Sequence, residues 1–340
     1  MVMPSNAFPI LRLPYIAVQD VIRAMDPFTV IDFSTASSAC KSLAKSCCKV
    51  THKYKIYMFI GEDPSFRISG KNVQYEYSMT LDPAENGVCK FENDTDGPTH
   101  TILKYSTPET RLQDFMNLFD YVKEILKIKM TVLFYEMGAF PGRNHYIVDW
   151  LRAPEFLALE VHGEKIPNEE VQYLLDNTKI AAQLNLDVET MDRKIPLRIP
   201  GSPENLIISH GKWCKLEHYL SLTSDIIHIS HNSLSPKDLN RFLKKWMKLE
   251  CHQGLRQLKI NIRNSKSFLK IIDDLVFEYP DEEEMVDRHL LHIGKREGVL
   301  IKNRIGTTAF LQVKKHFGVY KFVMTMPDLE GGRFYDLRRI

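Results

Sequence analysis

The sequence has no long apolar run, no large excess of either charge and no C-x-x-C pair of cysteines. Each absence removes a class of function. No stretch approaches the ~20 consecutive apolar residues of a spanning helix, so no membrane role is expected. Met1 to Ala7 lack the basic stretch and apolar core of a signal peptide. The expectation is an intracellular protein, in the cytoplasm, the nucleus or both. A formal net charge of +2 over 340 residues does not make the basic field that nucleic acid demands. Six cysteines, Cys40, Cys47, Cys48, Cys89, Cys214 and Cys251, follow no C-x-x-C spacing. They read as reduced, mostly buried thiols, because zinc sites need closely spaced ligand pairs. The glycosylation-like triplet Asn93-Asp94-Thr95 has no secretory signal to give it meaning.

Catalytic signatures are missing as well. There is no G-x-S-x-G elbow, no Walker loop, no Rossmann glycine fingerprint and no H-E-x-x-H. His289 and His292, and His228 and His231, come in twos without a third ligand at metal spacing. The acidic run 281–284 lacks the alternating oxygens and glycine of a calcium loop. Asp273 and Asp274 are adjacent, so on a helix they do not share a face. The expectation is a protein with no cofactor, no metal and no catalytic activity of its own.

What is present is a 44% hydrophobic share, enough for a real core, arranged in four segments. Residues 8–48 read as three short helices. Pro14 suits a first helical position, and Val18, Val21, Ile22 and Met25 fall on one face. Asp26-Pro27 stops that helix and can cap the next. Residues 49–110 are β-rich. Aromatic and β-branched runs at 54–60, 66–69, 73–81 and 100–106, punctuated by Gly and Pro, predict an antiparallel meander. A long amphipathic helix opens the next segment, with Leu112, Phe115, Leu118, Phe119, Val122, Ile125 and Leu126 on one stripe.

Residues 111–295 hold a loose repeat of short strands, at 131–135, 156–161, 182–188, 205–209, 225–230 and 255–262. Residues 157–175 align without gaps over 225–243. Leu159, Val161, Ile166, Val171, Leu174 and Leu175 then meet Ile227, Ile229, Leu234, Leu239, Phe242 and Leu243. Stacked strand–helix units in a leucine-rich-repeat-like curve fit this period, as do ordinary βα units of an α/β domain. The helix expected at 236–248 is apolar along Leu239, Phe242, Leu243, Trp246 and Met247. Its other face is basic, with Lys237, Arg241, Lys244, Lys245 and Lys248. Residues 296–340 predict a C-terminal β segment and a loose tail, after a helix at 268–277. The fold class expected is α+β or α/β, with a helical N-terminus, a β-meander, leucine-rich-repeat-like units and a final β segment.

Two segments then resemble a known family. Residues 13–45, "LPYIAVQDVIRAMDPFTVIDFSTASSACKSLAK", are similar to an F-box: a Leu-Pro opening, an apolar helix face, and a break before Phe28. Residues 202–262 resemble the type-2 F-box-associated domain, in the order seen in the nematode-expanded F-box B group. Together they cover under a third of the chain. The resemblance implies docking on the Skp adaptor of a cullin-based SCF ubiquitin ligase, and selection of an unknown protein substrate by the rest of the chain. It places Leu13 and Pro14 at the Skp contact. Val18, Val21, Ile22, Met25, Phe28, Ile31 and Leu43 are shared between that contact and a small helical core. Ser37-Ser38-Ala39-Cys40 departs from the Ser-Lys-Arg of many relatives. Lys41, Lys45 and Lys49 lie close enough to restore positive charge toward an acidic adaptor. The other reading of these segments is a repeat-like binding scaffold outside any ligase.

Overall fold

The computed structural model describes residues 10–48, 54–94, 97–128, 130–152, 155–192, 195–201, 203–280 and 298–326. The expectations for Lys49, the acidic run 281–284, His289, His292 and the tail 327–340 lie outside the described residues. The chain is mixed α/β and divides into two compact units, Met1–Phe134 and Tyr135–Ile340.

The first unit opens with a 3-10 turn at Ile10–Arg12, then α1 (Tyr15–Ala24), α2 (Pro27–Thr35) and α3 (Ser38–Cys47). Pro14 is extended (ψ 144°) and caps α1 from outside, so the helix begins one residue later than expected. Asp26 caps α2 by accepting from the Thr29 N–H at 3.0 Å, with Pro27 as first residue inside. Ser37 caps α3 through the Cys40 N–H at 3.1 Å.

Five strands and one helix follow: β1 (Lys55–Ile60), β2 (Ser65–Ser69), β3 (Gln74–Thr80), β4 (Cys89–Asp94), β5 (Gly97–Tyr105) and α4 (Arg111–Leu126). The β1–β2 and β2–β3 pairs are antiparallel. The expected plain meander fails after that point. The chain runs past β3 to form β4, returns as β5, and β5 inserts beside β3 in parallel. α4 lays its stripe on the strands: Phe66 of β2 meets Phe119 and Phe115 with ring centroids 5.3 and 6.1 Å apart. All three rings are buried, each contributing roughly 1.5–3 kcal/mol of apolar burial. A left-handed Lys127 (φ 52°) ends α4. β6 (Met130–Glu136) then carries the chain from one unit into the other.

The second unit alternates helices and strands: α5 (Asn144–Leu151), β7 (Glu155–Ile166), α6 (Asn168–Asn177), β8 (Lys179–Thr190), β9 (Asn205–Ile208), a 3-10 turn at Gly211–Trp213, α7 (Leu216–Ser221), β10 (Ile226–Ile229), α8 (Pro236–Met247) and β11 (Gln257–Ile262). A short α9 (Ser267–Ile271) follows, then β12 (Gly298–Lys302), β13 (Thr308–His316) and β14 (Val319–Thr325). α9 stops six residues short of the expected end, and Asp274 is left-handed (φ 56°). Strands β7 to β11 are parallel and lie in chain order, each beside the one before. The C-terminal strands join the same sheet, because β14 pairs antiparallel with β11.

One register runs through all of it. Leu159, Leu184, Leu206, Ile227, Leu258 and Met324 stand side by side, and so do Val161, Leu186, Ile208, Ile229, Ile260 and Phe322. Every one is buried, so the two rows are the spine of the unit's core. Because strand side chains alternate, the residues between these rows point to the other face.

Candidate docking surfaces

The nine residues expected at the adaptor contact separate into two sets. Val18, Ile22, Phe28 and Ile31 are buried in the first unit. Phe28 meets the rings of Tyr77 and Tyr75 on β3 edge-on, at 4.8 and 5.2 Å. Leu13, Met25 and Leu43 are half-buried, and Pro14 and Val21 are exposed. The helices also dock on α4, where the Ser34 hydroxyl is 2.8 Å from the Tyr121 hydroxyl.

Three apolar residues not on the expected contact list are exposed as well. Leu11 is 50%, Tyr15 55% and Ile16 73% exposed. With Pro14 they form a short apolar run where α1 begins. Part of the signal was in the sequence: Ile16 lies off the face of Val18 and Ile22, so a helix that buries those two exposes it, whereas Tyr15 shares their face and is open because it is the first residue of α1.

The lysines expected to restore charge have another partner. Lys45 and Lys41 both reach Glu124 of α4, at 2.7 and 3.0 Å, and hold its carboxyl below the usual range. Lys41 also lies over the Tyr121 ring at 4.8 Å. These two cations lock α3 onto α4 within the unit. Just before Lys41, Ser38 and Ala39 are exposed while Cys40 is buried.

In the second unit, the face opposite the aliphatic spine is polar. Glu160, Asn185, Ile207, His228 and Lys259 stand side by side on consecutive strands. At the C-terminal ends of the strands a chain of ionisable groups links up. His162 Nε2 is 2.7 Å from Glu160, and its Nδ1 is 3.4 Å from Asp187. Asp187 also approaches His210 at 3.4 Å, and the His210 ring stacks on His231 at 5.6 Å. The hydrogen bond to Glu160, with the charge of Asp187, pushes the His162 pKa up.

At the other end of the row the sign reverses. Burial, with Lys314 and Lys321 close by, pushes Lys259 down to about 8. His228 is pushed down to about 4 by burial and by Lys259, and it pairs with Gln257 at 2.9 Å. The face is therefore a surface graded from acid–histidine to lysine. Among the described residues no group of three His, Cys, Asp or Glu could hold a metal ion. The sequence offers His162 and Asp187 as a pair only once successive strands are aligned on their apolar doublets: each is the residue after Val161 or Leu186.

The basic face of α8 is partly tied down, by Lys245–Glu250 at 2.9 Å and Arg241–Asp238 at 3.6 Å. Among the described residues no disulfide joins the cysteines, and Cys89 alone of the six is exposed. No described helix is long and apolar enough to cross a membrane.

Comparison with known proteins places one segment. Residues 198–260 match the family model described as F-box associated. The match begins just before β9 and ends within β11, close to the expected 202–262. No curated protein and no solved structure matches the chain.

Proposed function

We propose that the chain is a non-catalytic substrate-recognition adaptor of an SCF-type cullin ubiquitin ligase. Its N-terminal helices would dock on a Skp-type adaptor, and its second unit would bind a protein substrate. The observation that carries the reading is the F-box-associated segment at 198–260, downstream of three short helices that follow Leu13-Pro14. The exposed run Leu11, Pro14, Tyr15 and Ile16 supports it, because apolar side chains gathered at one helix start suit a partner's groove. The consecutive parallel strands of the second unit support a leucine-rich-repeat-like platform with a broad polar face.

The surface assigned to Skp is narrower than the resemblance implies. Val18, Ile22, Phe28 and Ile31 serve the fold; of the expected residues Leu13, Pro14, Val21, Met25 and Leu43 remain open to the contact, joined by Leu11, Tyr15 and Ile16. Calorimetric titration of the full chain with a Skp homologue tests this. We expect micromolar or tighter binding. Tyr15→Ala with Ile16→Asp should weaken it about 30-fold or more, as loss of a ~2 kcal/mol hot spot does, with the unfolding midpoint unchanged. Absence of binding at micromolar concentration overturns the ligase.

One observation favours a second reading, a binding scaffold outside any ligase. The N-terminal helices already bury Val18, Ile22 and Phe28 within their own unit. If free and Skp-mixed protein show the same hydrogen-exchange protection over 10–24, the scaffold reading takes precedence.

A further inference from the structure

A cavity of about 180 Å³ opens in the second unit, between the loop 195–201 and the segment carrying α7. Its floor is apolar: Ile208 of β9 with Trp213 and Cys214, all buried. Leu197 and Ile199 form one wall, and Leu222 faces them. Arg198 and His218 also line it, and among the described residues no carboxylate does.

The cavity is held open by its surroundings. Three polar side chains on one stripe of α6, at i, i+4 and i+8, fasten the loop wall. Asn168 donates to the Ile195 carbonyl at 3.2 Å. Gln172 accepts from the Arg198 N–H at 2.8 Å and donates to the Arg198 carbonyl at 3.0 Å. Asp176 accepts from the Arg198 guanidinium at 3.0 Å. Pro196 and Pro200 stiffen the same loop by fixing φ. On the floor side, Gly211 lets the 3-10 turn carrying Trp213 press onto β10. A Cβ there would run into the Ile229 methyl and come within 3.0 Å of the Ser230 carbonyl.

Size and charge choose the occupant. Cofactors and drug-sized ligands need roughly 300 Å³ or more, whereas a benzene ring fits an apolar cavity of about 150 Å³. One aromatic side chain fills this space. In the sequence, Lys212 and Lys215 flank the lining residues Trp213 and Cys214, and both are exposed. Asp176 offsets Arg198, Asp225 beside the lining Ser224 pairs with Arg256 at 3.4 Å, and Glu217 adjoins His218. The bias is toward a ligand whose flanks are negative.

We propose that this pocket takes an aromatic side chain of a protein substrate, presented in an extended segment with acidic residues on either side. That the segment belongs to a ligase substrate rests on the function proposed above; the pocket's chemistry does not.

The test uses the full chain labelled with 5-fluorotryptophan. It carries three tryptophans, Trp150, Trp213 and Trp246. Trp213→Phe assigns the pocket signal in the fluorine spectrum. The probe is the capped peptide Asp-Asp-Phe-Asp-Asp, titrated without any Skp homologue. We expect a saturable shift of the Trp213 signal alone, with half-saturation at or below ~1 mM, the range of a weak single-site contact. Replacing Phe by Ala in the peptide should remove the shift. Lys flanks in place of Asp should weaken it at least fivefold. Ser221 lines the cavity from an exposed position on α7, so Ser221→Phe should plug it and weaken binding tenfold or more. No movement of the Trp213 signal, or equal movement with the Ala peptide, overturns the pocket whether or not Ser221→Phe folds. Equal binding of the Lys-flanked peptide overturns the acidic preference. Peptide binding without Skp binding would keep the pocket and remove the ligase. Skp binding without peptide binding would do the reverse.

Discussion

His228 shows how one residue can set a pH limit on this fold. It sits on β10 with its pKa pushed down to about 4 by burial first and by Lys259 second. Unfolded, it takes a proton near the ordinary 6.5; folded, it resists until much lower pH. The unfolded state therefore binds more protons between those values, and stability falls as pH drops from 6.5 toward 4. The full effect is of order 3 kcal/mol. His162 has the opposite sign. Glu160 raises its pKa, so its contribution is complete below 6.5 and is lost as pH rises through the folded value. It is also 44% exposed, which keeps it small. Urea unfolding of wild type and His228→Gln at pH 7 and pH 4.5 separates the two. The difference in stability between the proteins should narrow or reverse at the lower pH. An identical acid dependence would remove His228 from the account. None of this was legible in the sequence, where His228 and His231 look like one motif. Adjacent strand and turn positions send them to different surroundings: His228 onto Gln257, His231 onto the Ser209 carbonyl.

At the scale of elements, legibility follows local chemistry. α8 was readable because it states its own start. Ser235 accepts from the Asp238 N–H at 3.2 Å, Asp238 accepts from the Ser235 N–H at 3.0 Å, and Pro236 occupies the first turn. Its buried stripe, Leu239, Phe242, Leu243 and Trp246, matches the expected face. α5 has no such start. Arg143 makes no capping side-chain bond, and the helix is fixed instead by distant partners: the Tyr135 hydroxyl donates to Asn144 at 2.6 Å, and Asn144 donates to Glu170. β4 was missed for a related reason. It is an exposed edge strand with the charged sequence "CKFEND", the kind of composition that keeps an edge from recruiting another strand. The sequence places β5 but pairs it wrongly, as the next antiparallel strand of a meander; it lies parallel to β3, because pairing direction depends on where the chain returns. The capping difference can be measured. Ser235→Ala should lower stability by about 1 kcal/mol in urea unfolding, the ordinary value of a lost N-cap. It should leave far-ultraviolet helicity at low urea unchanged, since the apolar stripe still holds α8. Loss of helical signal in the folded baseline would mean that the cap, rather than the stripe, carries the helix.

For the whole molecule, the strand register decides what can be changed and what can be used. The offset of 68 residues that aligns 157–175 with 225–243 proves to be a spatial relation: Leu159 and Ile227 belong to one buried row, with Leu184 and Leu206 between them. That row supports the core, and the alternate residues of the same strands form the polar face. The sequence made the first half legible, because leucine and isoleucine repeat at fixed places in each unit. It left the second half obscure, because Glu160, Asn185, Ile207, His228 and Lys259 share no residue type and line up only when the strands do. The two faces should therefore respond differently to truncation. Ile227 is 1% exposed and flanked by Leu206 and Leu258 in register, so Ile227→Ala leaves a cavity that neighbours on both sides cannot fill. It should cost about 2–5 kcal/mol in urea unfolding. Glu160→Gln, one strand face away, removes a partly exposed charge next to His162 and should change stability by no more than about 1 kcal/mol. Comparable losses from the two substitutions would mean that the polar face is packed rather than open, and that substrate binding must be sought elsewhere on the second unit.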